Sequence, residues 1–368
     1  MRTAGPAPRS RRVAGARPGS VLLGLVWAVL LFDLAVGLAT GDNSFSGIGS
    51  LVWDGLMRGL VIGLAGIGLS MTYSILNFAN FAHGDYITAG AFSGWATTYV
   101  IAGVGRADIG ALFLVGASGS VFGGTLGIGI TGTPLAVVAG AVVAGAFTVA
   151  LALFVDRTVF KPIRDETGIT LLITSIGVAF ALRYIMQFVF GSSVRGTTAQ
   201  PPSVSLYLVD GVVRINAHDL ALVAVAGGLM LGVQLLLQLT KLGTAMRAMS
   251  DNEDLAQITG IPTERVVRAV WIVGGGLTGV AGYMFVLWKG TLGFNDGWLL
   301  LLLIFAAVIL GGIGSIYGAI VGGLAMGLTA SASLVWIPPA YSRAAALVVM
   351  SVLLMAAPGG VVLGRHTA

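Results

Sequence analysis

Ten stretches of the chain are apolar at almost every position over roughly the length of a membrane-crossing helix, and short polar segments separate them. They cover residues 21–38, 56–75, 85–101, 134–154, 171–190, 220–239, 267–288, 298–313, 316–335 and 344–363. About 20 mostly apolar residues cross a bilayer as a helix, and in hydrocarbon each backbone N–H and C=O must be satisfied inside its own segment. The pattern predicts an all-α fold, a polytopic transmembrane helical bundle of about ten spans. A further apolar stretch at 111–130 is rich in Gly and Ser; for it a re-entrant and a spanning reading both stay open. No stretch reads as a soluble domain. A single transmembrane domain over 21–364 is therefore expected, behind a basic tail over 1–20. Three longer polar or Gly-rich segments interrupt it, at about 103–133, at 191–219 and at 240–266. Alternation at Val204-Ser205-Leu206-Tyr207-Leu208 is compatible with a short hairpin or with a plain loop.

The basic residues orient the spans. Cytoplasmic loops carry an excess of Lys and Arg. With ten spans and both termini cytoplasmic, thirteen basic residues fall inside: Arg2, Arg9, Arg11, Arg12, Arg17, Arg157, Lys161, Arg164, Lys241, Arg247, Arg265, Arg268 and Arg365. Five fall outside, at Arg106, Arg195, Arg214, Lys289 and Arg343, while Arg58 and Arg183 lie within spans. Counting 111–130 as a span would invert everything after it, so the ten-span arrangement is preferred. It makes the Gly-rich insertion and the 191–219 loop external and the 240–266 loop cytoplasmic, in a multi-pass protein of the cell membrane. The first apolar run is too long for a signal-peptide core of about 7–15 residues and is read as the first span.

Composition agrees. The chain is 56% hydrophobic and only 10% charged, against about 25% charged in soluble domains. Its 56 glycines lie mostly in the apolar runs, where small residues let helices approach closely. The net charge of +5 is scattered over loops rather than gathered in a stripe, which argues against nucleic acid. With no cysteine, disulfides and thiolate chemistry are excluded.

Few residues suggest catalysis. No Gly-Lys dipeptide occurs, so there is no Walker A loop to cradle ATP phosphates. The segment Gly312-Ile313-Gly314-Ser315-Ile316-Tyr317-Gly318 has the wrong spacing for a dinucleotide fingerprint. Gly314, Gly318 and Gly322 instead recur every four residues, as a helix-packing face would require. His83, His218 and His366 show no metal-ligand spacing. Neither a metal nor a cofactor is expected, and the chain is not read as an enzyme. The polar patch Asn77-Phe78-Ala79-Asn80-Phe81-Ala82-His83-Gly84-Asp85-Tyr86 is costly at membrane depth unless its groups face a cavity or each other. A wet turn and a broken helix lining a translocation path fit it equally, with Asn77, Asn80, His83 and Asp85 as candidate path residues. Asp33 and Arg183, each mid-span and opposite in sign, are expected to pair across helices; Asp54 and Arg58 have the i,i+4 spacing of a helix-end pair.

The segment 240–262 is a hydrophilic island between two apolar runs. Residues 244–259 are helix-compatible, and Gly260-Ile261-Pro262 is a stop signal. A short helix there reads either as a plain surface loop or as a knob for a partner's groove, and the small residues around its stop signal favour the knob. Asp254-Leu255-Ala256-x-x-x-Gly260 is similar to the Glu-Ala-Ala-x-x-x-Gly coupling motif of ATP-binding-cassette importer permeases. Asn77 to Gly84, Lys161-Pro162-Ile163-Arg164, Lys241 to Ala248 and Ala306 to Ile316 resemble the Liv-type branched-chain amino-acid permeases. The resemblance implies a permease subunit with a cytoplasmic coupling helix at 244–260, where Arg247, Asp254, Leu255, Ala256, Gly260 and Ile261 would meet an ATPase. It implies two cytoplasmic ATPase subunits that carry the ATP hydrolysis, a second permease (sibling or self) and an external substrate-binding protein. It leaves open whether the solute is a branched-chain amino acid, urea or an amide. The competing reading is a self-contained ion-coupled carrier or channel using Asp33, His83, Asp85 and Arg183.

Overall fold

The structure, a computed structural model, describes residues 18–105 and 123–356. The tail over 1–17, Arg106, most of the 111–130 stretch, Arg365 and His366 lie outside the described residues. The helices, in chain order, are α1 (Pro18–Thr40), α2 (Phe45–Leu76), α3 (His83–Ala102), α4 (Pro134–Val155), α5 (Gly168–Phe190), α6 (Ala217–Leu239), α7 (Lys241–Asp251), α8 (Glu253–Ile258), α9 (Thr263–Lys289), α10 (Asp296–Gly311), α11 (Ile316–Ala332) and α12 (Ser342–Ala356). Each of the ten predicted apolar stretches overlaps one of them, residues 357–363 of the last stretch lying outside the described residues. By length and composition six helical segments suffice to cross a membrane: Phe45–Leu76, Pro134–Ile163, Gly168–Phe190, Ala217–Leu239, Thr263–Lys289 and Ile316–Val335. The other four fall short for visible reasons. α3 opens on His83 and Asp85, α10 has 16 residues, and the apolar stretches Val29–Thr40 and Pro339–Met355 are also short.

The 191–219 segment does form a hairpin. β2 (Ser203–Leu208) pairs antiparallel with β3 (Gly211–Asn216) around Val209-Asp210. A second two-stranded pairing joins β1 (Arg195–Gly196) to β4 (Thr291–Leu292). The hairpin sits on the start of α2: the Asp210 carboxylate accepts from the Ser46 N–H at 2.9 Å and from the Phe45 N–H. Those amides are among the unpaired donors of a helix N-terminus. α6 is fastened alongside, since Asp219 accepts from the Asn216 N–H at 2.8 Å and from Trp53 Nε1 at 2.9 Å.

α2 is the axis of the bundle. Its 32 residues extend about 48 Å at 1.5 Å per residue, from the hairpin to α7, where the Ser74 and Ser250 hydroxyls meet. It meets α11 backbone to backbone. A Cβ at Gly323 would lie 2.5 Å from the Gly63 nitrogen, one at Gly59 2.7 Å from Leu324 Cα, and one at Gly55 2.9 Å from Leu328 Cα. No side chain fits there, and glycine is what allows the approach. Of the three glycines expected to share a face, Gly318 and Gly322 do pack from α11 against the backbone of Gly311 and Ala307 on α10. Gly314 does not share that face. It turns the chain before α11 at φ +83°, and the helix starts only after Ser315, whose hydroxyl accepts from the Gly318 N–H at 3.0 Å.

Candidate functional site

The polar patch becomes a buried junction of α2, α3, α5 and α9. α2 ends at Asn77 in a left-handed conformation, φ 53°. Asn80 then folds its side chain back, its Oδ1 accepting from the Ala82 N–H at 3.0 Å, and α3 begins at His83. Asn80, His83 and Asp85 are at most 2% exposed, whereas Asn77 is exposed. The link from α2 to α3 is thus a helix break sealed from water at three of the four candidate positions, not a wet turn. His83 Nε2 lies 2.9 Å from the Ala65 carbonyl on α2 and 3.4 Å from Thr278 Oγ1 on α9.

Arg183 pairs with Asp85, not with Asp33. Its Nε and Nη2 donate to the two carboxylate oxygens of Asp85 at 3.2 and 3.0 Å. The guanidinium lies over the Trp298 ring at 4.2 Å and near Phe180 at 5.4 Å. Asp33 instead accepts from Trp336 Nε1 at 2.8 Å. The planar fork of Arg matches a carboxylate bidentately and stacks on aromatics, and only Asp85 offers both. Around this pair Asn80 Nδ2, Tyr86 OH and Trp271 Nε1 are buried without a hydrogen-bond partner. Buried polar groups are rarely left so, and three such atoms set this junction apart from the apolar helix contacts around it.

The island is helical but not one helix. Asn252, with φ −162° and ψ 108°, ends α7 and starts α8: its N–H donates to the Ala248 carbonyl at 3.0 Å, and its Oδ1 accepts from the Leu255 N–H at 2.8 Å. Asparagine is a strong N-cap, and that preference divides the expected helix. α8 closes on Gly260 at φ +85°, with the Ile261 N–H reaching the Ala256 carbonyl and the Gly260 N–H the Gln257 carbonyl, each at 3.0 Å. This is the glycine-based C-terminal closure expected of that stop signal. Gly243, Met246 and Met249 form the buried face of α7. Arg247 is exposed and donates to the Leu237 carbonyl and, at 3.3 Å, to Thr244 Oγ1. On α8 Ala256 faces inward at 3% exposure, while Leu255 and Ile258 stand out at 59% and 83% beside exposed Glu253 and Asp254. Ile261 is half-buried.

A charged cluster brackets this segment. Lys161 Nζ and Arg164 Nη1 each donate to Glu264 at 2.9 Å, and Arg164 Nη2 to Asp156 at 2.8 Å. The continuation of α4 is therefore tied to the first turn of α9.

At the opposite end of α2 a cavity of about 560 Å³ opens among α2, α9, α10, α11 and α12. Asp54 and Arg58 lie in its wall, without the ion pair their spacing suggested: no described carboxylate approaches Arg58 within 4.0 Å. Sequence reasoning did not find this cavity, since its walls come from five helices distant along the chain. Among the described residues no cluster of three His, Asp or Glu could hold a metal.

The family described as branched-chain amino acid transport system, permease component, matches residues 51–358. The chain belongs to this family. The permease is 27% identical to the high-affinity branched-chain amino acid transport system permease protein LivH of Escherichia coli strain K12, over 85% of this chain and 94% of that one. It is 24% identical to the corresponding protein BraD of Pseudomonas aeruginosa, over the same shares. It is 28% identical to the probable LivH of Methanocaldococcus jannaschii, over 85% of this chain and 90% of the relative. No solved structure matches. The permease is thus a multi-pass helical membrane protein of a transport system.

Proposed function

We propose that this permease is the membrane subunit of an ATP-binding-cassette importer that carries branched-chain amino acids, or a closely related small polar solute, into the cell. Its ten helical stretches all cross the membrane, with both termini and the α7–α8 segment cytoplasmic. Two ATPase subunits hydrolyse ATP on separate chains, a second permease completes the path, and an external binding protein delivers the solute. The observation that carries this reading is α7–α8: one face locks into the bundle through Met246 and Met249, while Leu255 and Ile258 on α8 face outward among acids. A short amphipathic element with two bare aliphatic side chains suits a partner's groove, and the names of the relatives supply the solute class. Closure of the ATPases would move α8, and with it α9, as one of two discrete arrangements. Asn80, His83 and Asp85 belong to the inner part of the path, with exposed Asn77 at its mouth.

The test is Ile258→Glu in cells carrying the whole importer. Because the side chain is bare, the amount of permease in the membrane stays unchanged. ATP-driven leucine uptake falls by about tenfold or more, and the ATPases no longer co-purify stoichiometrically. Unchanged uptake would refute α8 as the docking element. Gradient-driven uptake by this chain alone, without ATPases, would refute the importer reading altogether.

A further inference from the structure

We propose that the cavity at the hairpin end of α2 is a binding site for the zwitterionic head of an aliphatic α-amino acid. This rests on the importer reading above and adds to it the receiving site and the groups that make it selective. Three features of the wall converge. It carries both signs of charge: Asp54 on α2 offers a carboxylate to an ammonium group, while Arg58 on α2 and Arg343 on α12 offer guanidiniums to a carboxylate. None of the three has an ion-pair partner within 4.0 Å among the described residues, unlike Lys289 and Asp296 on the same wall, which satisfy each other at 2.8 Å. The floor is aliphatic and aromatic: Phe285, Leu300 and Leu303 are 2–8% exposed. Finally, Ser331 on α11 lines the cavity at 1% exposure, and its hydroxyl has no hydrogen-bond partner. Leaving a buried hydroxyl unpaired is costly, so its retention at a cavity wall points to a guest that completes it.

The chemistry selects the guest. A simple cation would leave two guanidiniums facing each other, and a simple anion would leave Asp54 unmatched. A neutral amide would satisfy neither sign. An α-amino acid answers both charges within one small head group and turns its side chain to the apolar floor. A volume of about 560 Å³ falls in the range of about 300–1,000 Å³ typical of small-molecule sites. The cavity also adjoins the proposed path: Arg58 is seven residues, about 10 Å along the helix axis, from Ala65, whose carbonyl meets His83.

The chain has no cysteine, so Leu334→Cys places its single thiol on the cavity wall. The rate of alkylation of that thiol by a charged maleimide is read in membranes holding the permease and its ATPases without binding protein. L-leucine should slow alkylation. Isopentylamine, which lacks the carboxylate, and 4-methylpentanoate, which lacks the ammonium, should not. Protection should vanish when Arg58→Gln and Arg343→Gln are added, and Ser331→Ala should raise the half-protecting leucine concentration about fivefold. Equal protection by either one-charge analogue overturns the zwitterion assignment. No protection by leucine, in membranes that take up leucine once binding protein is restored, overturns the site and leaves the importer standing. Failure of the unmodified importer to take up any branched-chain amino acid overturns the importer reading instead.

Discussion

Asp85 is 0% exposed and its partner Arg183 is 7% exposed, so each charge depends on the other for what water would otherwise supply. Buried pairs contribute little net stability while both members are present, but removing one member costs about 3–5 kcal/mol because it strands the other. Asp85→Asn should therefore lower thermal stability in detergent sharply, whereas Asp85→Asn combined with Arg183→Gln should recover much of the loss. Melting curves of the two variants check this; equal destabilisation by both would mean that packing, not charge, dominates the site. At this scale the sequence is least legible. The sequence offers Asp33 as the partner of Arg183 because both are isolated mid-span charges. The choice of Asp85, 98 positions away, depends on how α3 and α5 meet, and no local pattern encodes that. The orphaned Ser331 is equally silent in sequence: a serine near the end of an apolar run looks like any small residue.

Elements were easier to read. Apolar runs located a helix at each of the ten stretches over their described residues, because backbone satisfaction in lipid favours helices. Errors fall at boundaries with polar or small residues. α2 starts at Phe45, eleven residues before the predicted stretch, since Gly47, Gly49, Ser50 and Asp54 dilute its apolar character. Asn252 divides the 244–260 segment because asparagine is tolerable inside a helix yet strong as a cap. The hairpin offers a test at this scale. Desolvation tends to raise the Asp210 carboxyl, but hydrogen bonds from the Ser46 and Phe45 backbone amides outweigh it and hold the group below its ordinary value of 3.8. A depressed carboxyl stabilises the folded contact fully above 3.8, and the benefit is lost as pH falls through the lowered value. Protection of the Ser46 amide, measured against its intrinsic exchange rate at each pH, should thus fall only in that acid window. In Asp210→Ala it should be low at neutral pH already; protection indifferent to both changes would show that the hairpin is not what protects the start of α2.

For the whole molecule the decisive contact is between α2 and α11. Gly323→Ala would drive a methyl onto the Gly63 backbone. Overpacking of this kind typically costs about 1–3 kcal/mol, and here backbone rather than a flexible side chain is in the way. The expected result is a lower melting temperature, with Gly232→Ala on α6, where a Cβ meets open space, as the silent control. A Gly323→Ala protein as stable as the parent would show that the two helices separate easily.

That same seam bears on how the bundle moves. Where side chains interlock, one helix can shift past another only by lifting its ridges out of their grooves, so motion comes in whole-turn jumps. Along Gly55, Gly59 and Gly63 facing Gly323 and Gly327 there are few ridges to lift. Backbone meets backbone at these positions, and only Leu324 and Leu328 of α11 reach over the α2 glycines. A conformational change that displaces α11 against α2 would therefore take the form of a shear between two discrete positions, with the cavity wall on α11 carried along.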